Sequence, residues 1–124
     1  MSNRYNQSEQ DYLETLLTLL SEQTAVHRID VAKKMNVSQA AVNKAMKLLA
    51  EKEYIYEDGK HLYLTPAGKA YAEQVYEKHC ILRDFLIYLG VSPARAEEDA
   101  CHMEHIVSEE TFEVMRKTLQ AKSL

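Results

Sequence analysis

The chain predicts a mainly α fold, a winged helix-turn-helix joined to a second helical half. Two observations point there. Only three Gly and two Pro occur in 124 residues, which favours long helices over a sheet-rich fold. The two β-prone runs, Tyr54-Ile55-Tyr56 and His61-Leu62-Tyr63-Leu64, flank a single Asp58-Gly59 turn. A chain of this length fits one compact domain or two small ones sharing a helix.

A first helix is predicted over 8–22. Ser8 can cap it, and Tyr12, Leu13, Leu16, Leu17 and Leu20 recur at helical spacing. Ser8-Glu9-Gln10-Asp11 also resembles a capping box with Asp11 at the third position. Asp11 and Glu14 lie three apart beside the apolar face. A second helix runs from Ile29 or Asp30 to Met35. Asn36-Val37 makes a short turn, and Ser38 caps a third helix that reaches Glu51. With Ala32, Met35, Val37, Val42, Ala45 and Leu49 inward, the pair forms a helix-turn-helix. The hairpin around Glu57-Asp58-Gly59-Lys60 then supplies the wing. Thr65-Pro66 is a cap followed by proline at the first helical position. It opens a long helix to Leu89, with Tyr71, Val75, Leu82, Phe85, Leu86 and Leu89 on its apolar stripe and Gly90 as its stop. Ser92-Pro93 starts a helix predicted to reach Val107. Ser108, followed by Glu109 and Glu110, caps a last helix carrying Phe112, Met115 and Leu119.

Charge is distributed unevenly. The net charge of −4 does not suggest a nucleic-acid binder. Yet Arg28, Lys33, Lys34, Lys44, Lys47 and Lys52 face only Asp30 and Glu51 within 28–52, while 70–124 carries six basic against ten acidic side chains. The outward positions at the start of the third helix are Gln39, Ala40, Asn43, Lys44 and Lys47, after the Ser38 cap. Small, amide and cationic groups there suit major-groove reading and phosphate contact. Lys60 at the wing tip is placed to touch phosphate, although Glu57 and Asp58 oppose it. The polar N-terminus reads as free of a signal peptide, and no apolar run approaches the ~20 residues of a membrane span. Two cysteines, Cys80 and Cys101, give no disulfide framework. These features together predict a cytoplasmic chain with reduced thiols.

The stretch Asp99-Ala100-Cys101-His102-Met103-Glu104-His105 carries the sharpest chemistry. On a helix, Cys101, Glu104 and His105 fall at i, i+3 and i+4 and share a face. Thiolate, carboxylate and imidazole all ligate transition metals, so the face is a metal half-site. Its rival is a solvated polar face that happens to carry a Cys. Cys80 reads as a packed thiol, and His102, His27 and His61 as solvated residues outside the site.

Several segments in the right order resemble the metal-dependent repressors of the diphtheria toxin repressor and manganese transport regulator family. They are Asp11-Tyr12-Leu13-Glu14, the helix-turn-helix from Ile29 to Ile55, Leu64-Thr65-Pro66-Ala67-Gly68, His79 followed by Phe85-Leu86, and Cys101-His102-Met103-Glu104-His105 with Ser108 behind it. The resemblance covers the chain from Ser8 to Leu119. It implies a winged helix-turn-helix DNA-binding domain over 1–68 and a helical metal-binding and dimerisation domain over 69–124. It implies a homodimeric repressor of metal homeostasis genes that binds double-stranded operator DNA when Fe(II) or Mn(II) is bound, with no small-molecule substrate, no membrane partner and no enzymatic activity. The metal positions it implies are Asp11, Glu14, His79, Cys101, Glu104 and His105. Asp11 matches the manganese-type pattern and Cys101 the iron-type pattern, so the chain is a hybrid. Zn(II) or Co(II) would also be expected to bind in vitro. Arg83 and Glu97 replace residues of the iron-type branch's ancillary site. The iron-type branch's SH3-like domain has no counterpart in these residues.

Two other classes remain open from sequence. A metalloenzyme would use the Cys/Glu/His cluster to activate water, but a helix-turn-helix has no use there. A winged-helix regulator sensing an organic ligand or the redox state of a Cys is the closer rival.

Overall fold

The computed structural model describes the backbone of residues 3–123 and the side chains of residues 8–122. The chain divides into two units, one spanning Ser8–Glu73 and one built mainly from Gln74 onward. The elements are α1 (Asn3–Glu22), α2 (Arg28–Met35), α3 (Gln39–Glu51), β1 (Ile55–Asp58), β2 (His61–Leu64), α4 (Pro66–Leu89), α5 (Pro93–Met103) and α6 (Glu109–Ser123).

In the first unit, one apolar core gathers Leu13 and Leu16 of α1, Val31 of α2, Val42, Met46 and Leu49 of α3, and Ile55 and Leu62 of the hairpin. Met46 is fully buried, although the sequence pattern did not single it out. The turn between α2 and α3 works through Asn36, whose left-handed backbone (φ 57°) ends α2. Asn tolerates that conformation better than most residues. The Ser38 hydroxyl then accepts from the Ala41 N–H at 3.1 Å and starts α3, as expected of a cap. The strands pair antiparallel with Ile55 opposite Leu64 and Asp58 opposite His61. The two-residue turn is therefore Gly59-Lys60, and Gly59 takes the positive φ of 66° that glycine allows. The Leu62 N–H donates to the Val26 carbonyl at 2.8 Å, tying β2 to the segment between α1 and α2.

Thr65 opens α4 by accepting from the Gly68 N–H at 3.0 Å, while its hydroxyl donates to the Glu53 carbonyl at 2.7 Å. Gly68 passes so close to the preceding segment that a Cβ there would lie 1.9 Å from the Tyr54 carbonyl oxygen. Close approach, rather than backbone conformation, requires glycine here.

In the second unit, Leu82, Ala100 and Phe112 form a small core with Ile81, Met103, Val107 and Met115 packed against it. The Ser108 hydroxyl accepts from the Thr111 N–H at 3.1 Å and starts α6. Gly90 (φ 112°) terminates α4.

Four sequence expectations need correction. α1 begins at Asn3, so Ser8 is not its cap and Asp11 is a mid-helix residue; the Asp11 carbonyl accepts from the Thr15 hydroxyl at 2.8 Å. α2 begins at Arg28, after His27, whose N–H donates to Asp30 Oδ2 at 2.8 Å. α5 stops at Met103 instead of Val107, so Glu104 is its C-cap and His105 sits in the following turn. Leu89 is 61% exposed at the end of α4 rather than part of a buried stripe. Among the described residues, no helix is long and apolar enough to cross a membrane.

Candidate functional site

Two sites emerge, one in each unit. In the second unit, α4 carries His79 inward, where it is buried between two carboxylates. Its Nδ1 lies 3.0 Å from Glu104 Oε1, and its Nε2 lies 2.6 Å from Glu97 Oε2. Only a doubly protonated imidazole can donate on both sides. The bond to Glu104, then its charge and that of Glu97, raise His79 from its ordinary 6.5 to about 8 against the opposing effect of burial.

Glu104 is nearly fully buried, and its second oxygen, Oε2, has no hydrogen-bond partner. A buried carboxylate oxygen without a donor costs several times the worth of a hydrogen bond, so its retention calls for a reason. Alongside it, ligand atoms of His79, Glu97 and Cys101 lie within 4.8 Å of one another. Thiolate, imidazole and carboxylate at that separation form a donor set for a divalent transition metal, and an unpaired buried oxygen fits a cation. Glu97 and Cys101 are at i, i+4 on α5, so the helix presents them together. Arg83 approaches the same cluster, with Nη1 3.6 Å from Glu97 Oε1 and Nε 3.0 Å from Asp84 Oδ1.

The expected ligands are placed as follows. Cys101 is exposed, whereas Glu104 and His105 are buried, so the three do not share one environment as a continuous helix face would give. The structure brings Glu104 onto His79, and Cys101 next to His79 and Glu97. Asp11 and Glu14 belong to the other unit, both half-buried on α1. Glu97, in sequence only a departure from the iron-type pattern, joins the cluster, and its i, i+4 spacing to Cys101 is the signal that marks it. His102 is exposed, as expected. His27 and His61 lie outside the metal cluster, as expected; both are half-buried, and their rings meet edge to face at 4.9 Å.

In the first unit, Ser38, Gln39, Ala40, Asn43, Lys44, Lys47 and Lys60 are all exposed. No acid stands among them on α3. Glu57 does not face Lys60 unpaired: it takes both Nε and Nη2 of Arg28, at 2.9 and 2.5 Å. That mutual bond lowers the Glu57 carboxyl and raises the Arg28 guanidinium. Arg28 also donates from Nη1 to Asn43 Oδ1 at 3.0 Å, and Gln39 Nε2 donates to the same oxygen at 3.4 Å. This bridge joins residues far apart in the chain, and nothing in local spacing announces it.

Comparison with known proteins adds the family. Residues 5–62 match the iron-dependent repressor N-terminal DNA-binding domain, and residues 65–122 match the iron-dependent repressor metal-binding and dimerisation domain. The transcriptional regulator MntR of Salmonella typhimurium is 39% identical over 104 residues, covering 83% of this chain and 66% of that protein. The HTH-type transcriptional regulator MntR of Listeria monocytogenes is 32% identical over 102 residues, covering 82% and 72%. The crystal structure of the metal-dependent transcriptional regulator MtsR superposes with a TM-score of 0.83 at 29% identity, over 90% of this chain and 53% of that one. The chain thus spans about two thirds of the length of the MntR proteins and about half that of MtsR.

Proposed function

Because the chain belongs to the iron-dependent repressor family, we propose that it is a divalent-metal-dependent transcriptional repressor of metal homeostasis genes. It acts as a homodimer on double-stranded operator DNA, in the cytoplasm, without enzymatic activity and without a small-molecule substrate. Residues 1–68 form the DNA-binding domain, and residues 69–124 the metal-binding and dimerisation domain. The metal ligands are drawn from Asp11, Glu14, His79, Cys101, Glu104 and His105, and Glu97 joins the candidates. Ser38, Gln39, Ala40, Asn43, Lys44, Lys47 and Lys60 meet the DNA.

The observation that carries this reading is the buried, unpartnered Oε2 of Glu104 beside His79. A bound divalent cation supplies concentrated positive charge to such a site. Glu104 offers Oε2 without losing an existing bond. To serve as a ligand, His79 would have to give up a ring proton, so loading would release one. Cys101 offers a soft thiolate, and Asp11, Glu14 and Glu104 offer hard oxygens. The mixture supports Fe(II) slightly ahead of Mn(II) in the cell, with Zn(II) and Co(II) binding readily in vitro. Metal loading would favour the dimer in which two recognition helices reach successive major grooves, ~34 Å apart.

Anaerobic titration with Co(II), Fe(II), Mn(II) and Zn(II) tests the site. Stoichiometric binding is expected, with a thiolate-to-cobalt charge-transfer band that Cys101→Ser abolishes. Cys101→Glu should move activation toward Mn(II). A cobalt complex without that band would remove Cys101 from the shell and with it the iron preference. No binding of any of the four ions would overturn the reading.

A further inference from the structure

The start of α3 carries two amide side chains, Gln39 and Asn43, one helical turn apart, and both are exposed. Such groups read adenine by a paired contact in which the amide oxygen accepts from N6 and the amide nitrogen donates to N7. Both atoms must be available. Asn43 does not meet that condition here, because its Oδ1 accepts from Arg28 Nη1 at 3.0 Å and from Gln39 Nε2 at 3.4 Å.

The orientation of Asn43 is fixed by chemistry. A guanidinium has only donors, so the atom facing Arg28 must be the amide oxygen. That oxygen only accepts, so Gln39 must in turn present its nitrogen. Two donors use both lone pairs of Oδ1. Asn43 is left with the N–H groups of Nδ2, which can donate only to acceptors. Arg28 is itself anchored, since its Nε and Nη2 form a fork on the two oxygens of Glu57 in β1. Its charge is thereby matched by a carboxylate instead of being left for phosphate. Arg28, Gln39 and Glu57 also line a cleft of about 360 Å³ that Lys60 of the hairpin turn shares, so the bridge lies at the surface formed by α3 and the wing.

We propose that Arg28, anchored by Glu57, is a specificity-determining positioning residue for DNA: it occupies the carbonyl of Asn43 and turns this side chain from an adenine reader into a donor for acceptor-only base edges such as guanine N7 and O6. The proposal rests on the DNA-binding reading given above. It goes beyond that reading by assigning the base preference at Asn43 to a residue outside the recognition helix.

Selection from randomised duplexes by the full chain loaded with Mn(II) tests it, with affinity measured against salt for each variant. The Arg28→Ala/Glu57→Gln double variant removes the anchor without leaving an unpaired acid. It is expected to gain adenine at one position of each half-site by roughly fivefold or more, the lower worth of a paired amide contact, with the salt slope unchanged. Glu57→Gln alone loosens the anchor, since the amide keeps only one acceptor oxygen for Arg28, and a smaller adenine gain than in the double variant is expected. An unchanged base preference in the double variant, with the salt slope reduced by about one, would make Arg28 a phosphate contact and overturn the proposal. So would an adenine gain in Glu57→Gln alone that exceeds the gain in the double variant. If the wild-type chain enriched no duplex, the DNA-binding reading itself would fail, an outcome distinct from both.

Discussion

The two units handle the polar groups at their candidate sites in opposite ways. In the DNA-binding unit the polar groups that shape its surface are answered from within. Arg28 is paired by Glu57, Asn43 by Arg28 and Gln39, the α3 start by Ser38, and the α4 start by Thr65. In the second unit, His79 is pinned between Glu97 and Glu104, yet Glu104 keeps an oxygen that no donor meets. A unit whose polar groups are satisfied is ready to act on a surface. In the second unit, the one buried acceptor left over is the feature on which the proposed cation site rests.

The sharpest way to break this contrast is Glu104→Gln. The substitution leaves an acceptor for His79 but removes the anionic oxygen. Affinity for Co(II) or Mn(II) should fall more than ~100-fold, beyond the range usual for residues that only support a ligand. Titration calorimetry reads this directly, and unchanged affinity would remove Glu104 from the site.

Gly68→Ala probes the other side of the comparison. A methyl group 1.9 Å from the Tyr54 carbonyl cannot be absorbed by a flexible side chain, since the neighbour is backbone. The cost should lie at or above the upper end of the ~1–3 kcal/mol typical of overpacking. Thermal melts should show the loss both with and without metal.

How much of this contrast was legible in the sequence differs between the units. The helix-turn-helix was readable because its punctuation is local: Asn36, Ser38, Gly59 and Thr65-Pro66 each act within a few residues. The metal segment was readable as chemistry but not as geometry. Nothing local stops a helix at Met103, since no Gly or Pro occurs after Pro93, so the pattern ran on to Val107 and placed Cys101 with Glu104 and His105. In the structure Glu104 caps the helix and turns inward with His105, while Cys101 stays outside with Glu97. The start of α1 was missed for the opposite reason, since Ser8 and Asp11 imitate a helix start inside a helix that begins at Asn3. The Arg28–Glu57 fork is a tertiary contact and left no periodic trace.

The titration of His79 separates the unloaded and loaded forms. Its folded value of about 8 lies above the ordinary 6.5. Its contribution to the stability of the metal-free protein is therefore fully present below pH 6.5 and is lost as pH rises through 8. Metal binding should run the other way, tightening as pH rises, because His79 must shed a ring proton and Cys101 must bind as the thiolate. Chemical denaturation and metal titration across pH 6 to 9 check both signs; parallel trends would contradict the assignment of His79 as both clamp and ligand.

A smaller effect is expected from Arg83→Ala. Arg83 sits 3.6 Å from Glu97 in a pair that is partly exposed on both sides. Such pairs are worth at most about 1 kcal/mol. Freeing Glu97 from a competing cation should tighten metal binding by about two- to fivefold, and weaker binding would show that Arg83 positions Glu97 instead of competing for it.

The most direct test of the central claim is operator affinity measured by fluorescence anisotropy at one fixed salt concentration, anaerobically, with Fe(II) or Mn(II) added and then removed by a chelator. Salt must be held constant because phosphate contacts alone respond to it steeply. The loaded dimer should bind tightly and with sequence preference, and its affinity should collapse toward the non-specific level on chelation and return when metal is restored. Equal affinity for the operator with and without metal would contradict it.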